Sequence, residues 1–271
     1  MRRSSFALTA LLALTLFGSA PAEAASDCVF VTSATTMALQ GDCTTDHSFL
    51  VPDGWTLDGG GHRITAVGPF AGAVVRNAGA VAGVVDLTIQ GAGITGCMGG
   101  ASRLRGILFD GASGSISGNT VLDIHRGPNG CQEGNGIEVR NLDGAPSVSV
   151  TVADNVVASY QKNGITANGD VTVDVTGNVV TGAGPVPYIA QNGIQFGFGA
   201  RGSASGNRVS GNFYSGEGWT ATGLLLFDVR ASEVRRSRNL FRGNQTTVSL
   251  TTSQACPHLY GGFYEQYGLC D

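Results

Sequence analysis

The stretch Ser159–Ala167, SYQKNGITA, holds Lys162, the only lysine among the 16 lysines and arginines of the 271-residue chain. A lysine amine becomes a base near neutral pH when desolvation penalises its charged form. A neighbouring carboxylate has the opposite effect and makes the ammonium a clamp for a substrate anion. Both surroundings are within reach of Lys162 in this sequence, because Tyr160 is two residues away and Glu133 and Glu138 lie about one repeat earlier. His125 and Arg126, adjacent in the loop DIHRGPNGCQEG, are groups that donate a proton or stabilise developing negative charge. Glu133, Glu138 and Glu217 are the carboxyl groups available for a glycoside hydrolysis, which needs two of them at a set separation. Tyr160, Tyr188, Tyr214 and Trp219 offer flat apolar rings with polar handles, suited either to stacking on a sugar or to packing a loop. Gln161, Gln191 and Gln195 add hydrogen-bonding amides in the same segments.

An internal repeat must position these groups. RGILFDG, NGIEVRN, NGITANG, NGIQFGF and TGLLLFD share Gly106, Gly136, Gly164, Gly193 and Gly223, spaced by 30, 28, 29 and 30 residues. A second element follows each: SISGNTV, VTVADNVV, VDVTGNVV, SASGNRVS and VRRSRNLF, with Asn119, Asn155, Asn178, Asn207 and Asn239 in register. Each unit holds short period-2 segments, such as Val171, Val173 and Val175 alternating with polar residues. Short strands, Gly/Asn turns and a period near 29 fit a solenoid in which one repeat is one coil. The asparagines are expected to be structural, tolerating a left-handed turn and hydrogen-bonding along the stack. The repeats are longer than a bare coil needs, and the surplus collects in loops 123–134, 158–162, 181–191 and 210–221. Stacked coils stack these loops into one wall, and a rigid scaffold with long loops is where binding residues concentrate. Glu138, Thr166 and Gln195 face outward from the adjoining strand.

The bulk properties exclude several classes. Residues 1–24 read as a secretory signal peptide: a basic start, a short apolar run and the Ala22-Glu23-Ala24 cleavage pattern. The expected mature chain is therefore secreted, with no membrane partner. A net charge of −4 and a 13% charged fraction argue against nucleic acid, whose binding requires a basic surface. The six cysteines, Cys28, Cys43, Cys97, Cys131, Cys256 and Cys270, form an even set in an exported chain and imply disulfides. No C-x-x-C pair or Cys/His cluster suggests a structural metal, so no metal site is expected.

The NG-I-x-hydrophobic element followed by GN-x-V at coil spacing, with FLVPDGWTLDGGGHRITA (49–66) before it, resembles the right-handed parallel β-helix superfamily, the pectate-lyase-like fold. YQKNGI and IAQNGIQ are similar to a secreted bacterial subgroup of unassigned activity. The resemblance covers about residues 48–250. It implies an all-β, single-stranded right-handed parallel β-helix of about 7–8 coils with disulfide-tied ends. On that layout residues 25–47 are an N-terminal cap, 48–250 the coils and 251–271 a C-terminal cap. Cys28–Cys43 then ties the first coil, Cys97–Cys131 staples two neighbouring loops, and Cys256–Cys270 ties the last coil.

Within this superfamily the polygalacturonase-like NTD, DD, GHG and RIK set is absent, as is the pectate-lyase-like RxPxxR. No group of aspartates on successive strands marks a calcium site, so no cofactor is evident and calcium is the one ion left to test. Some β-helix lyases of uronic-acid polymers use a lysine base with an arginine acid, a pattern that Lys162 and Arg126 match loosely. The expected function is a carbohydrate-active protein, foremost a polysaccharide lyase acting by β-elimination. Lys162 would be its base, with Arg126 and His125 as electrostatic and acid groups. Glu133 is a further catalytic candidate. Tyr160, Gln161, Tyr188, Gln191, Gln195, Glu138, Glu217 and Trp219 would bind sugar. The alternatives are a non-catalytic glycan-binding or cell-wall-binding module, and a hydrolase using Glu133 or Glu138 with Glu217. The expected partner is a polysaccharide or other glycan, bound by a monomer.

Overall fold

The computed structural model describes residues 26–142 and 146–251. The chain winds as a parallel β-solenoid with three sheets of nine, eight and eight strands, each coil adding one strand to each sheet. Thus Asn163–Gly169, Val171–Thr176 and Val179–Val186 belong to one coil. The first of these pairs in parallel with Asn135–Asn141 in the coil before and Asn192–Gly197 in the coil after. This sheet, whose strands begin at the repeat glycines, is the cleft sheet.

Alternation supplies the core. Val171, Val173 and Val175 point inward and are fully buried, while Asp174 between them is exposed. The repeat glycines have a packing reason. A Cβ on Gly164 would lie 2.3 Å from Val180 Cγ1 and 2.6 Å from the Gly193 carbonyl oxygen. The same clash recurs at Gly136 with Val157 and Gly164, and at Gly193 with Val209 and Gly223. Each coil therefore turns into the cleft sheet where one backbone presses on the next and leaves no room for a side chain. Gly164→Ala is expected to destabilise the protein by about 1–3 kcal/mol through overpacking. A urea midpoint equal to that of the parent protein would contradict this.

The asparagine column is an internal ladder. Asn119, Asn155, Asn178 and Asn207 each donate from Nδ2 to the next asparagine Oδ1 at 2.9–3.0 Å. Each of those four amides also donates to a carbonyl of the preceding coil, as Asn155 Nδ2 does to Ile116 O at 2.9 Å. Every amide in this dry interior is thus satisfied, which buried polar groups require. One detail departs from expectation. The left-handed residue is the one before the asparagine, namely Gly118, Asp154, Gly177, Gly206 or Arg238, with φ between 56° and 69°. The asparagine itself supplies hydrogen bonds and not the unusual dihedral.

At the N-terminal end the hairpin of Phe30–Ser33 with Thr36–Leu39 is the one antiparallel pairing among the described strands. Cys28–Cys43 ties this end, as expected. Parallel stacking already begins at Thr36–Leu39 and Cys43–Thr45, inside the segment expected to be a cap. Cys97–Cys131, also as expected, joins loop 93–104 to loop 123–134. The expected signal peptide, the C-terminal cap and the Cys256–Cys270 pair lie outside the described residues. Disulfides are consistent with an oxidising, extracellular setting. No helix among the described residues is long and apolar enough to cross a membrane.

Candidate functional site

The outward face of the cleft sheet is a polar floor built by register. Leu108, Glu138, Thr166, Gln195 and Leu225 form one column down the stack. Asp110, Arg140, Asn168, Gly197 and Phe227 form the next. Asn163, Asn192 and Thr222 occupy the strand starts. The middle of the floor is a chain of side-chain amides. Asn192 Nδ2 donates to Asn163 Oδ1 at 3.0 Å, Asn163 Nδ2 to Gln195 Oε1 at 3.2 Å, and Gln195 Nε2 to Asn168 Oδ1 at 3.0 Å. Gly197 makes this possible, because a Cβ there would sit 2.5 Å from Asn168 Oδ1. Amides linked in this way are held in place before any ligand arrives.

The floor's charged end is an ion pair. Arg105 Nε donates to Glu138 Oε2, and Asn135 Nδ2 donates to the same oxygen at 3.1 Å. Both Arg105 and Glu138 are almost completely buried. Burial alone would raise the carboxyl pKa of Glu138. The charges of Arg105 and Arg140, with the Arg105 and Asn135 hydrogen bonds, outweigh it and hold the pKa below the ordinary value. Glu138 is therefore a fixed anion and not a proton donor. Asn135 Oδ1 and Thr166 Oγ1, both next to Glu138, are buried without a protein partner among the described residues. Such atoms ordinarily meet water or a ligand hydroxyl.

Over this floor lies a cavity of about 110 Å³, also bounded by Arg103, Gln132, Lys162 and Phe198. One ordered water takes about 10–15 Å³ on this scale, so the space admits a small ligand. A second cavity of about 220 Å³ is lined by Gln132, Lys162, Tyr188, Tyr214 and Trp219. Lys162 and Gln132 line both and stand between them. The Lys162 backbone is fixed in the stack, its N–H donating to Gly134 O at 3.2 Å and its carbonyl accepting from Asn192 N at 2.9 Å. Its Nζ donates to Ala190 O at 2.9 Å. Desolvation lowers its pKa from 10.5 to about 8.

A family model described as a right-handed β-helix region matches residues 105–259. The match covers more than half of the chain, and the three parallel sheets agree with it. The chain belongs to the right-handed β-helix family. A search of curated proteins and a search of solved structures each gave no match. The family match is to the β-helix as a whole and does not single out the pectate-lyase-like subgroup. Coils before residue 105 stack in the same sheets, so the β-helix extends beyond the matched segment.

Within this β-helix the twelve expected site residues divide sharply. Lys162, Gln195 and Glu138 line the first cavity, and Tyr188 and Trp219 join Lys162 at the second. Arg126 and Glu133 line neither. They form a buried ion pair, Arg126 Nε to Glu133 Oε2 at 2.6 Å. Glu133 also accepts the backbone N–H groups of Met98 and Leu104 at 2.7 Å each, and Arg126 donates to Phe70 O at 2.9 Å. The pair clasps loop 93–104 to loop 123–134, so its charges are spent on structure. Tyr160 is buried in the core, its hydroxyl donating to Asn212 Oδ1. Burial raises its pKa above the ordinary tyrosine value. Gln161 donates to Asn129 O at 3.0 Å and accepts from Arg126 N at 2.7 Å, which pins the loop beneath Gln132. Gln191 accepts from Ala183 N at 3.0 Å and donates to Tyr160 O at 2.5 Å. His125 and Glu217 are exposed and line neither cavity.

The strand residues Arg105, Asn135, Asn163, Asn168 and Asn192 were missed as site residues. For Asn135, Asn163 and Asn192 the signal was present in the Asn-Gly step that opens three successive strands, which reads as turn chemistry until the fold shows the asparagines facing a cavity; Arg105 and Asn168 carried no such signal.

Proposed function

We propose that the protein binds an acidic glycan across Lys162 and that Lys162 is the base of a β-elimination. One observation carries the reading: a single lysine with a lowered pKa stands at the junction of two cavities, one floored by amides and one lined by aromatic rings. A sugar chain crossing that junction presents a residue on each side, so the bond to be broken lies beside the amine. Side-chain amides match a ring of hydroxyl groups, and Tyr188, Tyr214 and Trp219 suit stacking on a sugar face. Membership in the right-handed β-helix family is consistent with glycan handling and selects no reaction.

In the reaction, the neutral Lys162 amine takes the proton alpha to the uronate carboxylate. The electron pair left behind forms the double bond as the beta oxygen departs. The ammonium so formed returns its proton to that oxygen. Arg103, which lines the first cavity with Lys162, is assigned the part expected of Arg126, offsetting the charge on the substrate carboxylate. The hydrolase alternative lacks a pair of carboxyls, since Glu138 is the one carboxylate lining either cavity among the described residues and it is tied to Arg105.

A second reading is binding without turnover. It is favoured by the bond from Lys162 Nζ to Ala190 O, which holds the amine as a donor. One screen separates the two. Purified protein is incubated with uronate-containing and neutral polysaccharides, with and without calcium. Ultraviolet absorbance reports unsaturated product, a reducing-end assay reports cleavage of any kind, and affinity electrophoresis reports binding. Unsaturated product is expected from a uronate polymer. Retardation without product would establish the binder, and reducing ends without unsaturation would overturn elimination.

A further inference from the structure

Charge is segregated along the solenoid. Residues 201–251 carry seven arginines against Glu217, Asp228 and Glu233, a local balance of +4 in a chain whose net charge is −4. Two of the seven are paired, Arg201 with Asp170 and Arg230 with Glu233. Arg208, Arg235, Arg236, Arg238 and Arg242 are exposed, and their side chains make no ion pair or hydrogen bond among the described residues.

The fold gathers these five at one edge. Arg235 faces outward from Val234–Ser237 in the nine-stranded sheet, one strand beyond Ser203. Arg208 and Arg242 lie on neighbouring strands of the eight-stranded sheet that is not the cleft sheet. Arg208 pairs in register with Leu240, so one strand step and two residues separate it from Arg242, about 8 Å. Arg238 stands in the turn between the two sheets, at the position that Asp154 holds three coils earlier. Arg236 continues the inward column of Val175 and Ala204 in the last coil of that sheet. Like charges collected in this way repel one another, so folding gains nothing from them. Their counter-charge must come from outside the chain.

We infer that this edge is a second binding surface, separate from the cleft, for an acidic polysaccharide strand. A guanidinium is a planar fork that matches a carboxylate, and the edge offers arginine with no lysine. A small anion cannot reach arginines spread over two sheets, whereas a chain with a carboxylate on each sugar can. The outward neighbours Ser203, Ser210 and Leu240 hold no aromatic ring on which a nucleic-acid base would stack. The choice of a uronate polymer over another polyanion rests on the glycan reading above; the existence of the basic edge does not. Attachment at the edge keeps the polymer near the cleft and raises its local concentration there.

The test compares the Lys162→Ala protein, which leaves polymer largely uncut, with the same protein carrying Arg208→Gln, Arg235→Gln, Arg238→Gln and Arg242→Gln. Arg236 is left in place because of its inward register, and folding is checked by circular dichroism. Dissociation constants are measured for polygalacturonate, trigalacturonate, a DNA duplex and phosphatidylglycerol vesicles. The four substitutions are expected to weaken polygalacturonate binding about tenfold, since exposed charge pairs are individually weak and here act together. The difference should vanish in about 1 M salt, where charges are screened within about 3 Å. Trigalacturonate, short enough to be held by the cleft alone, is expected to bind both proteins equally. Arg242→Gln alone should weaken polymer binding more than Arg63→Gln, which removes one exposed charge from the other end of the solenoid. Equal polygalacturonate affinity with and without the four arginines overturns the inference, as does no binding by either protein. An equal effect of Arg63→Gln and Arg242→Gln overturns it too, because net charge alone then explains the binding. DNA or vesicles bound more tightly than polygalacturonate through the same arginines would overturn the choice of partner. Elimination by the parent protein with no arginine dependence leaves the Lys162 reading standing and removes only the present inference. Arginine-dependent binding without unsaturated product from the parent does the reverse.

Discussion

Lys162→Ala is expected to lower the rate of elimination by about a hundredfold to ten-thousandfold, the range a positioned general base contributes. The informative companion is Lys162→Arg. Arginine keeps the positive charge and the reach, but its guanidinium does not deprotonate in the working range of pH. A base role predicts that Lys162→Arg still retards in affinity electrophoresis and forms no unsaturated product. A clamp role predicts that Lys162→Arg keeps activity, and that result would sink the assignment of the base. The pH profile gives an independent check. The amine is protonated below a pKa of about 8, so the elimination rate is expected to rise as pH increases through that value and then level off. Stability changes in the same window. Between about 8 and 10.5 the unfolded lysine holds a proton that the folded one has lost, so stability is expected to rise with pH. That rise should be absent from Lys162→Met when urea midpoints of the two proteins are compared over this range.

Glu133→Ala is expected to cost about 3–5 kcal/mol of stability, although Glu133 touches neither cavity. Removal of its carboxylate leaves the Arg126 guanidinium buried with its charge uncompensated. It also leaves the Met98 and Leu104 N–H groups without their acceptor. Urea unfolding measures the loss, and an unchanged midpoint would refute the clasp. Arg126→Met combined with Glu133→Leu is expected to recover much of it, because a buried pair replaced by apolar groups often costs little. The comparison also protects the functional argument. Loop 123–134 carries Gln132, which lines both cavities, so Glu133→Ala is expected to reduce binding by loosening that wall. Glu133→Gln keeps the shape but only one acceptor oxygen, so its NH2 faces donors that the carboxylate accepted from; it is expected to lose part of the stability, and activity retained by the folded variant would separate support from chemistry.

The β-helix was legible in the amino-acid sequence because a solenoid is built from near neighbours in the chain. Each coil contacts the next, so one rule repeats every 28–30 residues, and Gly106, Gly136, Gly164, Gly193 and Gly223 write it out. Buried amides at Asn119, Asn155, Asn178 and Asn207 repeat for the same reason, since each needs the next as its partner, with half-buried Asn239 ending the column. Lys162 could be placed on the loop wall from that register alone.

Which polar side chains face solvent was settled only by tertiary structure. Arg126, Glu133, Tyr160, Gln161 and Gln191 sit in loops and have the residue types of a binding site, yet all five are buried. Those loops fold back on the solenoid, where their backbone N–H and C=O groups lose water and must find partners. Long polar side chains supply them, and a residue type does not disclose whether its hydrogen bonds go to a ligand or to a neighbouring loop. The converse holds for Asn163 and Asn192. Their Asn-Gly steps read as turn chemistry, and they floor the cavity because loops on the adjoining edge turn an outward strand face into a cleft. Sequence determined the coil, its repeat and its satisfied interior; the packing of irregular loops, which no period governs, decided where the cleft lies and which groups are free to act in it.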